Sequence, residues 1–260
     1  MKIVLLGSGN VATHLGKALS AAGHQILQVY SRTRAHAEVL AEGLGAAAID
    51  HPSEASMDAD AYFIVVKDDA IEEVVSQLPR RLKGVVAHTA GSVEMDILKP
   101  YLDRYGVFYP LQTFSKTKAI SFSAVPIALE AVDATAYGVL EQLADGLSDR
   151  VFPCDSKQRL SLHIAAVFAC NFTNYLYSVA DNVLRSHNLD FSLIRPLVLE
   201  TAQKVMEHSP RDVQTGPAVR RDRITMAKHA ELLSDQEDLR ELYLLLSERI
   251  DEITHPGTGF

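Results

Sequence analysis

Near the N-terminus the spacing Gly7-x-Gly9-x-x-Ala12 follows an apolar run, Lys2 to Leu6, and leads into an amphipathic one, Val11 to Ala22. A strand, a glycine turn and a helix in that order form the cradle that takes a dinucleotide pyrophosphate. Gly7 permits the tight turn, Gly9 lets backbone approach the phosphates, and the small Ala12 lets helix pack on strand. Ser8, Asn10 and Val11 complete the loop, where the helix start offers free N–H groups and a positive dipole end to an anion. A bare structural turn is the alternative; the position between strand and helix favours nucleotide binding.

The end of the next apolar run, Gln25 to Tyr30, decides which nucleotide. An Asp or Glu there would accept from the ribose 2′-OH of NAD. This chain has Ser31-Arg32-Thr33-Arg34 instead. Two hydroxyls and the Arg32 guanidinium, with Arg34 as a possible aid, suit a 2′-phosphate, so NADP(H) is the expected cofactor. The competing explanation is a solvated basic turn that opens the next helix.

Proton chemistry points to a second region. The run 156–184, SKQRLSLHIAAVFACNFTNYLYSVADNVL, is apolar around most of a helix, yet His163, Asn171, Asn174 and Ser178 interrupt it. At 100° per residue these four fall within an arc of about 80°, a polar seam on a buried helix. His163 is the candidate proton donor or acceptor, and Asn171 the candidate to orient a carbonyl or imine. A hydrogen-bond network between helices or subunits would explain the same seam.

Ligands of an open parallel sheet lie beyond the carboxyl ends of its strands, which directs attention to three loops. Val66 and Lys67 are placed with the cofactor, though Lys67 would also serve as a merely solvated lysine. His88, Gly91, Ser92 and Gln112 are candidates for the substrate, with Asn174; a loop-anchoring His88 is the alternative. Arg220, in TGPAVRRD, would meet an anionic substrate group or a cofactor phosphate, or else pair with Asp222 or another acid.

The elements that must position these residues alternate in the first half. Strand-like runs at 2–6, 25–30, 61–66, 84–88, 106–109 and 126–129 are separated by helical patterns at 11–22, 35–43, 70–78 and 134–147, with a short one at 94–101. That alternation predicts a mostly parallel α/β sheet. After about Asp155 only helical patterns remain, near 156–186, 191–208, 217–233 and 236–252, before a frayed tail from His255. A Rossmann domain over 1–152 and an all-α domain over 153–260 are expected. The long apolar helix needs more cover than its own chain offers, which predicts a homodimer through the helical half.

The chain has 260 residues, 47% of them apolar, enough for a substantial core, and a net charge of −8 that disfavours nucleic-acid binding. It has no apolar stretch of about 18 residues or more and opens directly on a strand-like run, so no membrane span or signal peptide is expected and the cytoplasm is the expected compartment. Cys154 and Cys170 suggest neither a CxxC pair nor a disulfide framework, and no metal-ligand spacing stands out.

Taken together, GSGNVATHL, HTAGS, YPLQTFSK, HIAAVFACNFTN and TGPAVRRDRITMAKH resemble a bacterial family with a Rossmann-like domain followed by a C-terminal domain of unknown function. The resemblance covers nearly the whole chain. Members are often labelled NADP oxidoreductases of a coenzyme deazaflavin-dependent type, and their first domain is similar to those of pyrroline-5-carboxylate reductase and ketopantoate reductase. It implies an α/β domain followed by helices of the 6-phosphogluconate dehydrogenase C-terminal type, and an oxidoreductase acting on a small molecule. No residue here identifies a deazaflavin site. Where the family pattern TGP…RGD carries glycine, this chain has Arg221. The catalytic lysine of the β-hydroxyacid dehydrogenases has no counterpart in the helix, which carries His163 and Asn171 instead. A nucleotide-binding or sensing protein without catalysis is the alternative function on the same fold.

Overall fold

The computed structural model describes residues 1–115, 118 and 120–257; Lys116 of the YPLQTFSK run and the last three residues of the tail lie outside them. The chain divides into two compact units, Met1–Tyr175 and the residues from Leu176 onward. Strand gives way to helix near residue 153, as the sequence suggests, but the first part of the long helix belongs to the sheet unit by compactness.

In the first unit, β1 (Lys2–Leu6), α1 (Asn10–Ala21), β2 (Gln25–Tyr30), α2 (Arg34–Leu44), β3 (Ala47–Ile49), β4 (Ala61–Ile64), α3 (Ile71–Ser76), β5 (Val85–His88), β6 (Tyr105–Pro110), β7 (Ile127–Ala131), α4 (Ala134–Asp145) and β8 (Val151–Pro153) follow in order. They form one sheet, β3-β2-β1-β4-β5-β6-β7-β8, parallel except where β7 runs against β6. The strands are short apolar runs because helices cover both faces. Ile3 and Leu5 point to the side of α1 and α4, against Leu15, Leu19, Leu140 and Leu143. Val4 and Leu6 point to the other, against Tyr62, Ile71 and Val74. Each such side chain, fully buried, contributes about 1.5–3 kcal/mol. β3 and β8 are not among the expected strands, since three residues are too few to show a period.

The long helical run is α5 (Ser156–Ala166), a π-helical stretch (Val167–Phe172) and α6 (Thr173–Ser186). One expectation fails here. The π stretch adds a residue to the turn, so a uniform 100° step no longer relates His163 to Asn171 or Asn174, and the seam is broken. The single chain does not cover the run: Leu160, Ile164, Phe168, Phe172 and Tyr175 are all at least a third exposed.

The second unit holds the rest of α6, then α7 (Arg195–Glu207), α8 (Arg223–Leu232) and α9 (Glu237–Thr254). α8 starts six residues later than the expected Pro217. The cause is backbone: Arg221 has φ of 51°, left-handed and incompatible with a continuing helix, so Asp222 caps α8 afresh through Thr225 N–H at 3.0 Å. Arg221 holds the conformation with a two-pronged ion pair to the buried Asp251, at 2.7 and 3.0 Å, and His255 Nδ1 lies 2.9 Å from the same carboxylate. The Arg221 bond, more than His255, keeps Asp251 below the usual carboxylate range against its desolvation. Among the described residues no helix is long and apolar enough to cross a membrane.

Candidate cofactor and proton-transfer site

The order of the sheet reverses between β1 and β4, and the loops after these strands meet there. Gly7 has φ of 148°, and a Cβ on it would lie 2.0 Å from the Val65 carbonyl oxygen, so only glycine fits. Around the Cβ position of Gly9, by contrast, nothing lies within 4 Å. Gly9 is the N-cap of α1 and no side chain caps that helix, so its first N–H groups face an open cradle of the kind a pyrophosphate fills. Ala12 is buried on the face of α1 that packs on the sheet, Val11 and Ser8 are half-buried, and Asn10 donates its carboxamide to Phe114 O at 3.0 Å, which leaves its backbone for a ligand. His14 Nε2 donates to Ser115 O at 2.8 Å, so the two side chains hold segment 114–115 beside α1.

At the end of β2, Ser31 is half-buried while Arg32 and Thr33 are exposed. Thr33 is the N-cap of α2 but its hydroxyl makes no capping bond. Arg34 is occupied by Glu38 at 3.0 Å and Asp50 at 3.4 Å, whereas Arg32 has no ion pair or hydrogen bond among the described residues. The hydroxyls of Ser31 and Thr33 therefore stand beside a cation suited to a 2′-phosphate. After β4, Val66 is half-buried and Lys67 exposed.

On the proton side the structure brings together one pair that sequence reasoning only half identified. Tyr109, the penultimate residue of β6, has its hydroxyl 3.1 Å from Nδ1 of His163 on α5, the two rings edge to face. Gly91 lies against both: a Cβ there would stand 2.6 Å from His163 Nδ1 and 2.9 Å from Tyr109 Cζ. Burial raises the Tyr109 phenol, with Arg159 pulling the other way. Neighbouring Ser92 donates its hydroxyl to the Asp68 carboxylate, joining the loops after β4 and β5.

His88 leaves the substrate set. Its ring is fully buried, Ala90 N–H donates to its Nδ1 at 3.2 Å, and Nε2 has no partner of good geometry among the described residues. Burial first, then the nearby Arg159 charge, hold it down at about 3 against a smaller pull from the Glu94 backbone, so it stays neutral near pH 7 and anchors its loop.

Arg159 is the feature sequence reasoning missed. It is 1% exposed, pairs with Glu130 of β7, and donates to Val93 O at 2.6 Å and Ser156 Oγ at 3.1 Å. Ser156 in turn donates to Glu130 Oε2 at 2.9 Å and receives Met95 N–H at 3.1 Å. This network fastens the first turn of α5 to β7 and the loop after β5, one turn before His163. The signal was a lone acid in the otherwise apolar strand 127–131. Of the other candidates, Asn171 and Asn174 are exposed, Gln112 turns its carbonyl oxygen onto Thr113 N–H at 2.8 Å, and Arg220 is exposed in the second unit while Asp222 serves Thr225.

A family model described as NADP oxidoreductase coenzyme F420-dependent matches residues 2–91, and one for a domain of unknown function, DUF2520, matches residues 125–250. A provisionally assigned NADP oxidoreductase from Bacteroides fragilis is 41% identical over 96% of this chain and 98% of its own, with a TM-score of 0.88. A Thermotoga maritima protein is 21% identical over 97% of this chain and 99% of its own, TM-score 0.82. A reductive aminase from Aspergillus terreus, solved with NADPH and ethyl-5-oxohexanoate, shares the fold at 17% identity over 99% of this chain and 95% of its own, TM-score 0.75. No curated protein matches.

Proposed function

Since this chain belongs to the NADP oxidoreductase family of that Bacteroides fragilis protein, we propose that it passes hydride between NADP(H) and a carbonyl or imine carbon of a small molecule, with His163 as proton donor or acceptor. The pairing of His163 with Tyr109 over Gly91, in the compact unit that also carries the nucleotide cradle, is the observation that supports this choice. NADPH supplies the hydride; the remaining proton comes from the protein. His163 delivers it to the carbonyl oxygen or imine nitrogen and takes a replacement from solvent. The Gly7–Ala12 turn holds the pyrophosphate, and Ser31, Arg32 and Thr33 the 2′-phosphate. That an NADPH-bound reductive aminase shares the fold agrees with an imine but does not choose it over a carbonyl.

The test is NADPH consumption by the purified protein against a panel of small ketones, aldehydes and cyclic imines. Binding of NADPH without turnover on any of them would leave a nucleotide-sensing protein.

Cofactor choice makes its own prediction. NADPH should bind at least about tenfold tighter than NADH, roughly 1.4 kcal/mol, in a fluorescence titration. Arg32→Asp should reverse that order, because a carboxylate repels the phosphate and accepts from a ribose hydroxyl. Equal affinities in the unmodified protein would remove the assignment of the β2 loop.

A second copy is proposed to cover the helical half. The exposed Leu160, Ile164, Phe168 and Phe172 recur every four residues, an apolar stripe that water alone would have to face in a monomer. Light scattering at micromolar concentration should report about 57 kDa, twice the 28.5 kDa chain; a monomer mass would count against it. The cytoplasm is the compartment proposed for this activity, a setting in which Cys154 and Cys170 stay reduced.

A further inference from the structure

We propose that Tyr109 is a positioning residue: its hydroxyl donates to Nδ1 of His163 and so fixes the imidazole as the tautomer that carries its proton on Nε2. This rests on His163 acting in proton transfer as proposed above, and adds which nitrogen does it and why: as the Nε2 proton passes to the substrate, Nδ1 takes the Tyr109 proton, so the ring stays neutral, and solvent returns a proton to the pair.

The tautomer follows from counting donors. A neutral imidazole has one nitrogen that donates and one that accepts, and the bond made by one decides the role of the other. The Tyr109 hydroxyl is 3.1 Å from Nδ1 and has no other hydrogen-bond partner among the described residues. Tyr109 is 9% exposed, and burial favours its neutral, protonated form, so it has a proton to donate. With Nδ1 accepting, the proton of the ring sits on Nε2. That nitrogen makes no hydrogen bond to the described residues, and the ring is only half-buried. Nδ1 is thus tied to the protein, and Nε2 is the atom left to meet a ligand.

Two features keep the pair from drifting. Gly91 packs so closely that even a methyl group would overlap both rings, so neither ring can swing towards it without a clash. Arg159, four residues before His163 on α5, is tied to Glu130 and Val93 and so fixes the helix that presents the imidazole.

The test is Tyr109→Phe, which keeps the ring and removes the hydroxyl, read by long-range nitrogen–proton NMR of the histidine side chains at neutral pH. The His163 signals are assigned by their loss in His163→Gln. The unmodified protein should show His163 predominantly as the Nε2–H form, and Tyr109→Phe should convert it to a mixture. Where a substrate has been found, kcat should fall about tenfold or more while KM and NADPH affinity stay within about twofold. Two results overturn the proposal: a predominantly Nδ1–H His163 in the unmodified protein, or an unchanged tautomer in Tyr109→Phe. The first needs no variant and survives a variant that does not fold. Neither needs turnover, so an inactive protein with the expected tautomer would sink the proposed function and leave this assignment standing.

Discussion

His163→Ala is expected to slow reduction of any substrate the protein accepts by about a hundredfold or more, with NADPH affinity nearly unchanged. A positioned acid or base contributes roughly 10²–10⁴-fold, and a hundredfold loss corresponds to about 2.7 kcal/mol of transition-state stabilisation. Cofactor binding should be spared because the close neighbours of His163 are Tyr109 and Gly91, whereas the cradle is built from Gly7 to Ala12 and the loop after β2. Steady-state NADPH consumption and a binding titration on the same preparation separate the two effects. An unchanged rate would remove His163 from the chemistry. A parallel loss of cofactor affinity would mark it as a structural support.

Glu130→Ala is expected to be the most destabilising of these changes. It strips the carboxylate from a guanidinium that is 1% exposed, and breaking a buried ion pair from one side costs about 3–5 kcal/mol. For a chain of this size that lowers the melting temperature by roughly 10 °C. Removing both charges together, Glu130→Leu with Arg159→Met, should cost far less, because no unpaired charge is left in the interior, although Val93 O and Ser156 lose a donor. Calorimetry of the single and double variants decides: equal losses would mean that packing around these side chains, and not the stranded charge, sets the stability.

The cofactor end was legible because it is local. Gly7, Gly9 and Ala12 fall within six residues at one strand-to-helix turn, their spacing follows from backbone geometry, and the flanking strand and helix show strong periods of their own. The proton end is not local. Tyr109 and His163 are 54 positions apart and Arg159 and Glu130 are 29 apart, pairings that depend on how sheet and helix pack. His163 stood out as a polar residue on an apolar helix, but the partner that gives it meaning did not. Asn171 was aligned with it by an ideal helical step that the π stretch at Val167–Phe172 does not obey. His88 illustrates the reverse: its position at a strand end is right for a ligand contact, but packing of the loop after β5 seals its ring in the core.

Arg221 bears on the history of the chain as well as on its fold. An arginine in left-handed backbone is strained where glycine would not be, and an aspartate sealed at position 251 is intolerable without a cation. Each residue therefore makes the other acceptable, and neither change is neutral alone. His255, on the same carboxylate, joins the pair. Positions 221, 251 and 255 should accordingly change as a set among relatives, an epistatic trio in a part of the molecule remote in sequence from the nucleotide turn.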